Sequence, residues 1–226
     1  MHVQGGTAVT PAYRVVADVT APSFPVAPAP VLRAGTYSAT YAPVTVGYRA
    51  ADNAKVYTVT ATAPSRVNLS PGGTAWYTGM RPARATTFVL TARDPSGNAR
   101  TASVRRQVKL LAETSAKRGG TWSGKSGGSY VGGKALTASK KNAKLTYTFT
   151  GRSVALLFAR GTKTGKASVY LDGKKVATVD TRAGKNSYRQ ALWVRSLTAK
   201  KHTVAIVVAG TAGRPAVVSD GLAFLG

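Results

Sequence analysis

Between Leu145 and Asp180 the chain reads LTYTFTGRSVALLFARGTKTGKASVYLDGKKVATVD, and apolar residues recur there at every second position. Leu145, Tyr147 and Phe149 alternate with threonines, Val154, Leu156 and Phe158 share one face, and Ala167, Val169 and Leu171 resume the period after a Gly/Lys/Thr loop. Alternation of this kind belongs to strands with one face in a core. Asp172-Gly173 readily takes the positive φ angles of a tight hairpin, so Val169 to Val179 is expected to fold back on itself. The reading is four short strands of a β-sandwich with loops free to bind. Nothing in the stretch is equipped to run a reaction.

The first half has a similar rhythm. Strand-length runs at Val44–Tyr48, Val56–Ala61, Ala75–Thr78, Thr87–Ala92 and Ser103–Leu110 are separated by Pro/Gly/Asn/Ser clusters, and no segment holds helical spacing for ten residues. The expected fold is all-β: two β-sandwiches, one over 18–111 whose rhythm suits an immunoglobulin-like fold and one over 112–226. A change of composition marks the division. Residues 1–111 carry 10 Arg and 2 Lys, residues 112–226 carry 7 Arg and 13 Lys, and Pro215 is the only proline of the second half. Ala112–Gly120, AETSAKRGG, has little to bury and reads as the joint.

Chemistry is constrained more by what is missing. Two histidines, seven acids and no cysteine leave few reactive sets. There is no G-x-S-x-G elbow, and His202 is read as packing its ring at a sandwich edge rather than serving a triad. Asp172, Asp180 and Asp220 are each accounted for by turns or strand ends, which leaves no carboxylate pair for glycoside hydrolysis. GKSGGSYVGG, Gly124 to Gly133, matches no phosphate-binding motif and reads as a loop. No catalytic residue, metal or cofactor is expected. The longest apolar runs fall far short of the roughly 20 residues that cross a bilayer, so no membrane insertion is expected either. The first ten residues lack the pattern of a signal peptide, so an export signal would have to lie upstream.

Net charge is +25, from 32 basic and 7 acidic residues. Lysines 140, 141, 144, 163, 166, 174, 175, 185, 200 and 201 are read mainly as turn residues ringing a sandwich. Such a surface attracts any polyanion diffusely, including an anionic cell-wall polymer. Stacking aromatics interleaved with the charge, or a docking helix, would mark a nucleic-acid binder; without them no specific nucleic acid is expected, and the chain is read as a monomer.

Two resemblances sharpen this. Asp18-Val-Thr-Ala-Pro22 with Pro25, Pro28 and Pro30, and later Phe88 to Asp94-Pro-Ser-Gly97-Asn98, resemble the lead-in and last hairpin of bacterial Ig-like and fibronectin-type repeats. Phe88 stands where those repeats often have tyrosine. Gly6 to Arg14 matches Gly97 to Arg105 at Gly, Ala, Thr and Arg, so residues 1–17 read as the last strand of a preceding repeat. In the second half Gly120-Thr-Trp122, Ser126 to Tyr130, Tyr147 to Gly151, Val169 to Gly173, Ala191-Leu-Trp193, Lys201 to Val204 and Asp220 to Phe224 occur in an order that resembles galactose-binding-like jelly rolls, similar to carbohydrate-binding modules at the C-terminal ends of secreted bacterial hydrolases and peptidases. Some such modules hold calcium through paired N-terminal acids and an aspartate on the final strand. Asp220 matches the last, but Glu113 is the sole acid near the start, too few for a six-oxygen ion.

The resemblance implies a non-catalytic accessory region of an exported, extracellular or cell-surface modular protein, attaching it to polysaccharide or cell wall. A structural spacer carrying an upstream catalytic or adhesive domain is the other reading. Sugar rings dock on exposed aromatic planes. Burial in the core is the commoner role for any one of the aromatics in this half; Trp122 and Tyr130, in Gly/Ser-rich loops, are the best candidates for an exposed platform, with Arg160 and Lys163 as polar partners. Trp193 is placed on one strand face with Arg189, Ala191 and Arg195, and Tyr188 on the other with Leu192 and Val194.

Overall fold

A computed structural model describes residues 17–226, and the reading of residues 1–17 as a repeat remnant falls, but for Ala17, outside the described residues. The fold is all-β. The first half contributes β1 (Ser23–Leu32), β2 (Gly35–Thr36), β3 (Ala42–Ala51), β4 (Thr58–Ala63), β5 (Val67–Leu69), β6 (Ala75–Met80), β7 (Ala85–Arg93) and β8 (Ala99–Leu111). The second contributes β9 (Lys117–Gly119), β10 (Ser123–Ser126), β11 (Lys134–Ala138), β12 (Lys144–Arg160), β13 (Lys166–Leu171), β14 (Lys174–Asp180), β15 (Ser187–Val208) and β16 (Val217–Leu225). Single 3₁₀ turns occur at Glu113–Ser115 and Val131–Gly133.

In the first half a sheet ordered β1-β3-β6 faces one ordered β8-β7-β4-β5, with every pairing antiparallel. The two sheets stack face to face as a β-sandwich. Alternate residues of facing strands fill its core: Val44, Val46 and Tyr48 from β3, Trp76 from β6, Phe88 and Leu90 from β7. Phe88, fully buried, packs edge-on against Trp76 with centroids 5.7 Å apart, so closure there rests on ring contact rather than a hydroxyl. β1 carries Pro25, Pro28 and Pro30 and pairs only with β3, the edge position where a missing N–H costs no ladder bond.

In the second half β12 and β15 pair over nearly their full lengths of 17 and 22 residues. What reads as two strands, Leu145–Phe149 and Val154–Phe158, is therefore one strand, bent where the register shifts between Gly151 and Ser153. The first part of β12 alternates buried and exposed residues, but Val154–Ala159 is buried on both faces. Val154, Leu156 and Phe158 point into the jelly-roll core with Tyr147, Ile206 and Leu222. Ala155 and Leu157 point the other way, into the core of the first sandwich, with Ala191, Ala223 and Leu225.

β16 explains this double burial. It pairs with β12 on one side and with β8 on the other, Leu222 opposite Leu111 and Leu225 opposite Val108. One sheet therefore runs β14-β13-β15-β12-β16-β8-β7-β4-β5 through both halves. The segment expected to be a loose joint is ordered: Glu113 and Ala116 are buried, and β9 pairs with the start of β12.

The Asp172-Gly173 turn forms as its sequence dictates, with φ of 48° and 84°, joining β13 to β14. His202, 3% exposed, ties this hairpin down. Its Nδ1 lies 2.8 Å from Asp172 Oδ2 and its Nε2 2.9 Å from the Thr198 carbonyl, at the irregular stretch of β15 beside Gly151. The Thr203 N–H and the imidazole hold the Asp172 carboxyl below its usual range. The ten lysines named above are all exposed, but six of them (Lys144, 166, 174, 175, 200 and 201) lie within strands rather than in turns.

Candidate functional site

The four residues expected to form a site do not come together. Trp122 is a core residue, 7% exposed, packed with Leu136, Leu145 and Val217, so neither face of its indole is open to a ligand. It precedes β10, whose Ser123 pairs with Thr137, whereas Tyr130 lies in the turn at the opposite end of the β10–β11 hairpin. Arg160 ends β12 and its guanidinium donates to the Arg182 carbonyl at 2.7 Å, a bond that closes the pole of the jelly roll. Lys163 is exposed in the Gly161–Gly165 turn of that pole. The same pole is held by Arg214, which grips Asp180 through two bonds of 2.6 and 2.8 Å and drives that carboxyl well below its usual range.

Tyr130 stands apart from the other three, half-buried against a second tyrosine. Its ring meets Tyr188 edge-on at 5.4 Å, and both lean on Ala135, Ala159 and Val218. Burial raises the Tyr130 hydroxyl above its usual range, with Tyr188 and Asp220 adding to the effect. Beside the pair lies a shallow, wide-open cleft of about 350 Å³ lined by Thr36, Gly128, Ser129, Tyr188 and Arg189. Arg189, at φ 60°, points its guanidinium across the mouth and donates to the Gly128 carbonyl. Thr36 comes from the first half: β2 pairs with β15, and the Gln190 amide donates to Thr36 Oγ1 at 2.9 Å. The cleft is thus composite, with one wall from each half of the chain.

The sequence draws attention to Tyr130, which stands beside this cleft without lining it, and to none of the lining residues as a ligand contact. Counting alternate residues along β15 places Tyr188 on a face, but the ladder slips between Leu156 and Leu157, whose partners are Trp193 and Ala191. The extra residue, Leu192, sends Trp193 into the jelly-roll core and Ala191 into the other one. A bulge of this kind leaves no period to read.

Beneath the cleft lies Asp220, 2% exposed. The Val131 N–H donates to its Oδ1 at 2.8 Å, while Oδ2 has no partner. Burial pushes its carboxyl up to about 7; the Val131 N–H and Arg189 act in the opposite direction and Glu113 in the same one. A calcium ion does not fit here. The second acid, Glu113, is also buried, but the small cavity beside Asp220 is otherwise lined by Ala39, Leu110, Leu111, Ala112, Val131, Gly132, Leu157 and Leu222, which bring no further carboxylate.

Among the described residues one set of three acids converges, Asp18, Asp52 and Asp94, with oxygens within 4.8 Å of one another at the far end of the first sandwich. Their bonds are those of turns: Asp94 accepts from Asn98 N–H and Nδ2, Asp18 from Thr20 N–H, and Asp52 from Ala54 and Lys55 N–H.

The cleft offers hydroxyls, a carbonyl, a guanidinium and tyrosine edges. No carboxylate or imidazole is among the residues that line it. No family model matches the chain, and no curated protein does. Among solved structures it is similar to the CBM36-1 domain of a multidomain xylanase from the hindgut metagenome of Trinervitermes trinervoides, at 15% identity over 53% of this chain and 97% of that one, TM-score 0.39. It is similar to a family 35 carbohydrate-binding module from Clostridium thermocellum, at 15% identity over 52% and 97%, TM-score 0.40. A third similarity is to the Agl-KA catalytic domain, at 17% identity and TM-score 0.40, where the match covers 52% of this chain and spans 27% of the other. Likenesses this distant do not identify a ligand for this chain.

Proposed function

We propose that this chain is a non-catalytic accessory region of an exported modular protein, and that it attaches its host to polysaccharide through the composite cleft. The observation that carries the reading is the lining itself: Tyr188 beside Tyr130, the Arg189 guanidinium, and the Ser129 and Thr36 hydroxyls, with no group placed to act as acid, base or nucleophile. The exposed face of an aromatic ring takes the apolar C–H side of a sugar, and the polar groups take its hydroxyls. One cleft of this size gives weak binding, strengthened where several modules act together. An extracellular or cell-surface setting follows from such a role; among the described residues no helix is long and apolar enough to cross a membrane.

The test is affinity electrophoresis of the intact chain through a panel of neutral and acidic polysaccharides. Ser129 is exposed and touches no core. Ser129→Met fills the cleft without changing charge, and is expected to abolish retardation while leaving the melting temperature unaltered. Equal retardation of both proteins overturns the cleft as the site. The spacer reading has its own support in the shared sheet, since β16 bonded to both β12 and β8 makes a stiff joint. It takes over if the unaltered chain is retarded by no glycan.

A further inference from the structure

We propose that the outer face of the β1-β3-β6 sheet is a second docking surface, formed by Tyr41, Tyr77 and Arg33, for a polysaccharide that bears carboxylates. Its ligand class rests on the reading above, but its place and residues are separate. Along β6 the side chains alternate, with Trp76 and Met80 in the core and Tyr77 and Gly79 on the other face. Tyr77 is 65% exposed and Tyr41 46% exposed. A Cβ added at Gly79 would fall 2.1 Å from Tyr41 Cε2, so the Tyr41 ring lies flat on the glycine backbone with its outer side free. Their strand partners on this face are Pro43, Thr45 and Gly47, which leave a low surface around two open rings. The Arg33 guanidinium stands 5.2 Å from the centre of the Tyr77 ring.

An extended sugar chain suits a flat face with two rings, and a forked guanidinium suits a carboxylate. Among the described residues no ion pair engages Arg33. The acids of the first half, Asp18, Asp52 and Asp94, gather beyond the far end of β3. Asp52 is seven residues from Thr45, the partner of Tyr77, or about 23 Å along a strand. Both ion pairs among the described residues lie in the second half. Single-stranded nucleic acid also stacks on tyrosine, but it needs a basic groove along its backbone, and here Ala29, Val31, Thr45, Gly47 and Ala75 lie around the rings, with Arg49, two residues beyond Gly47, the further basic side chain that β3 places on this face.

The surface adjoins the cleft. Thr36 lines the cleft and Tyr41 follows five residues later, with the Ser38 N–H donating to the Tyr41 carbonyl at 2.8 Å in the turn between them. Five residues span at most about 18 Å, a gap that one oligosaccharide bridges. Binding at either place then raises the effective concentration of the ligand at the other.

The probes are polygalacturonate and its fully methyl-esterified form, which share a backbone and differ in charge, tested on the intact chain. Tyr77 contributes to no core, so Tyr77→Ala is the informative variant; Tyr41→Ala also uncovers Gly79 and is not used. Tyr77→Ala is expected to weaken binding to both polymers roughly five-fold, the worth of a few tens of Å² of apolar contact. Because net charge is unchanged, diffuse attraction cannot produce that loss. Arg33→Ala is expected to lower the preference for the acidic polymer several-fold, whereas Lys174→Ala, which removes the same charge from an exposed position on β14, leaves it unchanged. Tyr77→Ala binding as tightly as the unaltered chain, while Ser129→Met is impaired, overturns the second surface and leaves the cleft standing. No binding of the unaltered chain to either pectin overturns the surface whatever the cleft does with neutral glycans. Displacement of polygalacturonate by poly(dT) at lower charge concentration overturns it in favour of nucleic acid.

Discussion

Asp220 and Trp122 are the two residues whose environments say most about how the chain works. Asp220 has an ordinary carboxylate pKa when unfolded and about 7 when folded, raised by burial. Between those values the folded chain keeps a proton that the unfolded chain has released, so stability falls as pH rises through the window. Asparagine can accept from Val131 in the same way but cannot ionise. Asp220→Asn is therefore expected to leave the melting temperature nearly unchanged near pH 3.5 and to raise it by several degrees near pH 8. Calorimetry at the two pH values checks this, and an equal shift at both would show that burial does not govern the group. Trp122 makes the opposite point about location. An indole in the core leaves a cavity when removed, and Trp122→Ala is expected to cost about 3–5 kcal/mol in denaturant unfolding. A loss of glycan retention with unchanged stability would return Trp122 to the surface.

At the scale of elements, β12 and β16 are sandwiched between two cores, and their side chains divide between them. Ala223 faces the first sandwich and has no exposed surface, while Leu222 beside it faces the jelly roll. Ala223→Asp places an unpaired charge between the halves. It is expected to lower stability by several kcal/mol and to split a single unfolding transition into two. One unsplit transition in the variant would mean that the halves are not coupled through this face. The same elements show what the sequence could reveal. Asp172-Gly173 is legible because positive φ is a local demand that few dipeptides meet. The period of two in Leu145–Phe149 is legible because one face is wet. Val154–Ala159 and β16 lose that contrast, since their second face is covered by residues a hundred or more positions away, such as Leu32 and Val44. The proline-rich β1 escapes detection because proline argues against a strand unless the strand is known to lie at an edge. The composite cleft was out of reach for a similar reason. Tyr130 is visible in its Gly/Ser loop, but Thr36 joins it only through the pairing of β2 with β15.

For the whole molecule, charge and topology act together. A surface with 32 basic and 7 acidic side chains holds polyanions by screened attraction. The screening length is about 8 Å at physiological ionic strength and about 3 Å at 1 M salt. Retention on heparin is expected to vanish below roughly 1 M salt, with a steep dependence on salt concentration. Retention beyond that point would reveal a basic site that surface lysines do not explain. The shared sheet has a further result, in the order of synthesis. Val217–Leu225 leaves the ribosome after every other described strand, yet it supplies the edge partner of both β8 and β12. Until those nine residues emerge, the first sandwich carries a bare strand edge, and Leu157 and Ala155 lack the neighbours that close their core. Nascent chains in that state resemble the open-edged intermediates on which chaperones act, and the nascent chain depends on its last strand to complete both halves at once.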